Sequence, residues 1–141
     1  MACPDLCGSI QSEEVRRGPL QWELEALASH HWGRYNEYEE LAGSFNLRWH
    51  QFPWNAHLPT TLGHGIGLSY TTVVPEQEVL YRRGQSARLL AFLMWDVTFS
   101  LPDHPAWAVF FRIHHRSGAF GTFSGVHGAA NYPCIGIMYS F

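Results

Sequence analysis

Charge is scarce in this chain, and neither sign dominates. Of its 141 residues, 15% are charged, with a formal net charge of -3. A typical soluble domain carries about a quarter charged residues. The chain therefore offers no basic field for nucleic acid. Cysteine is also sparse. Cys3 and Cys7 form a CxxxC near the start, and Cys134 lies far from them. No second pair completes a zinc set or a disulfide framework. Free thiols are the simpler reading, and one disulfide stays open if the chain is exported. Long apolar runs are missing. The longest, Leu89 to Trp95, falls well short of the roughly 18 residues that a membrane-crossing helix needs. The first 19 residues contain Pro4, Asp5, Glu13, Glu14, Arg16 and Arg17 and no apolar core, so they do not read as a signal peptide. They are expected to form an irregular leader over 1–19, ahead of one domain over 20–141. No strong helical period is present. Gly63, Gly65 and Gly67 lack the Lys and following helix of a phosphate loop. No metal site is expected, because His30 and His31 have no evident further ligands, and nothing in the sequence calls for a cofactor.

What the chain has in quantity is aromatic surface, 15% of residues with six Trp and nine Phe, and alternation. Six segments after Pro19 read as strands with two unlike faces. Leu20–Ser29 sets Trp22, Leu24, Ala26 and Ala28 against Gln21, Glu23 and Glu25. Tyr38–Phe52 sets Leu41, Phe45, Leu47 and Trp49 against Ser44, Asn46, Arg48 and His50. Thr60–Thr72 sets His64, Ile66, Leu68 and Tyr70 against small residues that leave room for larger neighbours. Arg88–Ser100, Trp107–Gly118 and Tyr132–Phe141 follow. Residues 84–95 could be argued as helix, but the Trp, Val, Thr and Phe that follow favour a strand. The connections alternate in length. Pro53–Pro59 and Leu101–Pro105 are short, whereas His30–Glu37, Val73–Ala87 and Gly118–Asn131 are longer and polar or glycine-rich. That rhythm, the strand lengths and the terminal Phe141 are the layout of an all-β, antiparallel up-and-down barrel of outer-membrane type. The competing reading is a soluble sandwich or lipocalin-like barrel that binds an apolar ligand. Six strands are fewer than the eight of the smallest closed bacterial barrels, so the chain is expected to be N-terminally incomplete. Trp22, Trp49, Trp54, Trp95 and Trp107 fit either an interfacial girdle or a soluble core.

The segment Trp107-Ala-Val-Phe-Phe-Arg-Ile-His-His-Arg-Ser-Gly118 carries the chemistry. Trp107, Val109, Phe111, Ile113, His115 and Ser117 share one strand face, which ends in a base and a hydroxyl. Phe110, Arg112, His114 and Arg116 share the other. In the barrel reading the first face meets lipid, and His115 and Ser117 lie at the outer end of the strand, beneath the Gly118–Asn131 loop. The second face points inward. There Arg112 joins an interior polar network with Asp96, Glu23, Glu25, Arg48 and Asn46, because polar groups inside a small barrel must pair with one another or with water.

His115-Arg-Ser117, set at a strand end before a glycine-rich loop and an aromatic-ending closing strand, resembles the lipid A 3-O-deacylase and acyloxyacyl hydrolase-like group of outer-membrane barrels. The likeness is best over 110–141, extends back toward Trp22, and does not cover 1–19. It implies ester hydrolysis on lipid A in the bacterial outer membrane, with lipopolysaccharide as partner. By that resemblance His115 is the general base and Ser117 the nucleophile. The family's acidic residue that orients the His is absent, since no Asp or Glu follows Asp103. Asn131 lies nearest that place and can hold an imidazole through its amide oxygen. The family's oxyanion Asn is replaced by Gly118, whose backbone N–H can donate instead. Arg116 and His114, like Arg112, are candidates for binding lipid phosphate, but the interior polar network is the preferred role for all three, with Arg116 the exception to test because it lies near the rim. A silent structural barrel remains the second functional reading.

Overall fold

The computed structural model describes residues 6–33, 37–81 and 85–139. Seven strands form one antiparallel sheet in sequence order: β1 Leu6–Arg17, β2 Leu20–His31, β3 Tyr38–Trp49, β4 Thr60–Thr71, β5 Leu89–Leu101, β6 His104–Ser117 and β7 Ala129–Tyr139. One short helix, α1 (Glu76–Tyr81), lies between β4 and β5. All six expected strands are present within a few residues of their expected ends. The expectation of an irregular leader over 1–19 is corrected: Leu6–Arg17 pairs with β2 from Leu6↔His30 to Arg17↔Leu20. Residues 1–5 lie outside the described residues. The segment 84–95, open between helix and strand, enters β5 at Leu89.

Three connections at one end are tight: Gly18-Pro19, Pro102-Asp103, and a wound turn over 50–59. The last is tied by Asn55, whose amide donates to His50 O (2.6 Å) and whose oxygen accepts the Thr60 N–H (3.1 Å). The opposite end carries the loops 32–37, 72–88 and 118–128. The alternation of connection lengths is therefore real, although the third tight turn is longer than its prolines suggested.

The sheet curls until side chains of β2 meet those of β6 and β7. Arg112 on β6 donates to Glu25 on β2, and the His31 ring lies 5.9 Å from Tyr132 on β7. What it encloses is mostly polar. Near the tight turns, Arg48 donates to Glu23 (2.7 Å) and pairs bidentately with Asp96 (2.7 and 3.3 Å). Arg112 joins the same Asp96 at 2.8 Å, and Asn46 donates to Glu25 at 2.9 Å. Above this layer sit Leu27, Ala42, Phe92 and Met94, the apolar interior. Above them again, at the loop end, Glu40 meets His31 and His114, and Arg116 meets Glu78. The polar network expected from Glu23, Glu25, Asn46, Arg48, Asp96 and Arg112 is thus assembled as one connected layer, and every one of these side chains is buried.

The outside is apolar. Trp22 is 54% exposed, Ile66 58%, Trp107 55% and Ile137 71%, each on a face that alternates with buried or half-buried residues. Of the five tryptophans expected as either girdle or core, Trp22, Trp49, Trp95 and Trp107 stand on this outer face, and Trp54 is exposed in the 50–59 turn. Soluble antiparallel sheets place apolar residues inward and polar residues outward; this one reverses the pattern.

The small inward residues of β4 make the curl possible. A Cβ on Gly63 would lie 2.5 Å from an Asp96 oxygen and 3.1 Å from the Arg48 guanidinium, which confirms that Gly63 makes room for an arginine. At Gly67 the obstacle is backbone, 1.8 Å from Gly43 O. No side-chain rotation relieves that contact, so β3 and β4 would have to separate. Gly67→Ala is expected to destabilise the fold by more than the roughly 1–3 kcal/mol typical of overpacking, whereas Gly63→Ala stays within that range. Denaturant midpoints of the two variants in detergent check the order.

Candidate functional site at the loop end of β6

Strand β6 positions the candidate residues by simple alternation. His115 and Ser117 continue the outward row Val109, Phe111 and Ile113, and both are half-buried. Register places His115 opposite Asn131 and Ser117 opposite Ala129 on β7. The His115 Nδ1 lies 2.7 Å from Asn131 Oδ1. An amide oxygen only accepts, so Nδ1 carries the proton in this contact, and in a neutral imidazole Nε2 then keeps its lone pair. That is the tautomer a general base needs, and Asn131 holds it.

Ser117 follows two residues later on the same face. Its Oγ accepts the Ala119 N–H at 3.1 Å. Among the described residues no hydrogen bond joins His115 to Ser117, so the pair shares a face and a strand end without direct contact. Attack on a substrate therefore requires a side-chain rotation that brings the hydroxyl to Nε2.

The other expected roles fare differently. Gly118 is buried, and its N–H donates to Gly128 O at 3.1 Å, closing the base of the loop. Its expected role as oxyanion donor is corrected, because that donor is already engaged. Arg116 and His114 are also corrected as phosphate ligands. Arg116 is 0% exposed. Its guanidinium donates to Ser69 Oγ (2.8 Å), Glu78 (2.7 Å) and the carbonyls of Ala87 (3.3 Å) and Arg88 (3.1 Å). His114 is buried against Phe92, with Nε2 3.0 Å from Glu40. Neither lies on the outer face, because alternation sends both to the enclosed side, where Glu40 and Glu78 engage them.

Sequence reading missed the partners that hold this end together. Glu78 on α1 accepts from Arg116 and from the Tyr132 hydroxyl (2.9 Å), so the helix is drawn over the loop end of the curled sheet. Glu40 also accepts from Ser69. The inward register of β3 carries the signal for Glu40, two residues before Ala42 and four before Ser44. Glu78 has no such signal, since its place depends on a loop. Among the described residues no group of three or more His, Cys, Asp or Glu is placed to hold a metal ion.

The loop above Ser117 is unusual. Ala119 (φ 46°), Phe120 (φ 58°) and Ser124 (φ 52°) all adopt left-handed conformations. The Gly121 N–H donates to Gly118 O at 3.1 Å, so Ala119 and Phe120 are the central pair of a left-handed tight turn. Such turns favour Asn and Gly, and each non-glycine residue held there costs about 1–3 kcal/mol. Phe120 stands at the tip, 98% exposed. Searches against known protein families, curated proteins and solved structures found nothing that matches this chain.

Proposed function

We propose that this chain is a β-barrel of outer-membrane type that removes an ester-linked acyl chain from lipid A, with His115 as general base, Asn131 as its orienting partner and Ser117 as nucleophile. The single observation that carries the catalytic part is the His115–Asn131 bond of 2.7 Å, which leaves Nε2 free on the face that Ser117 shares. The reversed sheet supports the membrane part. A polar, ion-paired interior and an apolar aromatic exterior suit hydrocarbon as the surrounding solvent. They suit a lipocalin-like binder badly, because its apolar ligand would need an apolar interior.

The chemistry runs in two steps. Ser117 Oγ attacks the ester carbonyl while His115 Nε2 takes its proton, and the sugar hydroxyl leaves with that proton. Water then attacks the acyl-enzyme, with His115 again as base, releasing the fatty acid and restoring Ser117. A hydroxyl at the rim of the lipid-facing surface meets the ester-linked chains of the outer leaflet without extracting the lipid. The second reading, a silent structural barrel, draws on the engaged Gly118 N–H and on the hydrogen bond that Ser117 makes to its own loop.

Protein refolded in detergent and given lipopolysaccharide is expected to shorten lipid A by one acyl chain in mass spectra, and Ser117→Ala to abolish that change. Unchanged lipid A under conditions where the protein shows folded, heat-modifiable migration supports the silent barrel instead.

A further inference from the structure

Phe120 combines two features that seldom occur together. Its side chain is 98% exposed, and its backbone sits in a left-handed conformation beside a second non-glycine residue in the same state. Exposure of one aromatic alone is unremarkable. Here the surrounding loop is tied by its own backbone hydrogen bonds. Gly121 donates to both Gly118 O and Val126 O, Phe123 donates to Gly118 O, and Val126 is buried at 3%. The fold thus spends hydrogen bonds on holding an aromatic ring outward in a turn better suited to Asn-Gly. Strain maintained by its surroundings points to a function for the strained residue. The turn also begins at Gly118, directly after Ser117. Three residues span at most about 10 Å, so Phe120 stays close to the nucleophile, beside the apolar outer row of β6.

We propose that Phe120 is the acyl-chain contact of this site: it inserts among the lipid acyl chains and seats the substrate ester against Ser117. The inference rests on the lipid esterase reading above and adds its specificity determinant, namely a preference for esters within a lipid surface over short soluble esters. An aromatic ring gives up water readily at the border of headgroups and chains, and one fixed in a rigid turn does so without losing loop entropy.

The test separates strain from function. Phe120→Gly relieves the backbone and removes the ring. Ser124→Gly relieves a similar conformation elsewhere in the loop and keeps the ring. Both variants are expected to raise Tm by about 3 °C. Only Phe120→Gly is expected to lower hydrolysis of lipid A in vesicles, by roughly tenfold or more, while hydrolysis of a soluble p-nitrophenyl butyrate stays within about twofold. Phe120→Trp should restore the vesicle rate. Equal loss on both substrates, or no loss on vesicles, overturns the proposal. A second readout needs no activity: 4-fluorophenylalanine placed at position 120 should give a 19F signal broadened by lipids carrying a nitroxide on the acyl chain. A sharp signal in proteoliposomes overturns the acyl contact whatever the enzyme does. A broadened signal in a protein that cleaves no ester keeps the lipid contact and overturns the esterase.

Discussion

Asp96→Ala is expected to cost about 3–5 kcal/mol of stability, the range for removing one partner of a buried ion pair. Asp96 bridges Arg48 and Arg112, at 2.7 Å and 2.8 Å, and its side chain is fully enclosed. Without it two guanidiniums remain inside the barrel with Glu23 and Glu25 as their acidic partners. The lost bonds alone are worth little net. The cost comes from donors that can no longer reach either water or an acceptor. Asp96→Asn should fall between the two, since the amide keeps one acceptor oxygen and loses the charge. The decisive comparison is Arg48→Met combined with Asp96→Leu. If the penalty is stranded charge, the double variant is more stable than the sum of its parts predicts. Additive losses would assign the effect to packing instead. Unfolding in denaturant, followed through tryptophan emission in micelles, gives the midpoints, with an unchanged slope as the check that the same transition is measured.

This layer was legible in the sequence because period-2 alternation binds each residue to a face. Once Trp22 and Leu24 share one side of β2, Gln21, Glu23 and Glu25 have only the other, and the same holds for Arg48 on β3, Asp96 on β5 and Arg112 on β6. Cross-strand pairing at the site was legible for the same reason: a base at the end of β6 meets whatever β7 presents, and that is Asn131. Strand β1 hid because its pairing register shifts between Ser12 and Val15. An irregularity there breaks the alternation, and Glu13-Glu14 then reads as a polar stretch without a period. Helix α1 hid because six residues hold fewer than two turns, too few for a 3.6-residue pattern to declare itself. Its anchor is tertiary, through Glu78 to Arg116 and Tyr132. Gly118 was misjudged because its N–H is claimed from across the loop by Gly128, a contact that strand periodicity does not encode.

The second large effect concerns the imidazole. Asn131→Leu should lower kcat for acyl release by roughly 10²–10³-fold, the usual worth of a correctly held general base. Without the Oδ1 acceptor, His115 is free to rotate and to carry its proton on Nε2, the nitrogen that accepts one in the proposed mechanism. Asn131→Asp should act in the opposite direction and raise kcat by about tenfold, because a carboxylate at the same 2.7 Å position stabilises the imidazolium that forms as Ser117 gives up its proton. Neither change should alter the stability by more than about 1 kcal/mol, as Asn131 is exposed at the rim. His115→Ala, Ser117→Ala and the double variant should all fall to the same residual rate, since groups that act as one unit do not lose activity additively. A double variant markedly slower than either single would mean that His115 and Ser117 act separately. An Asn131→Asp variant no faster than wild type would mean that the bond to β7 fixes the strand end without serving the base.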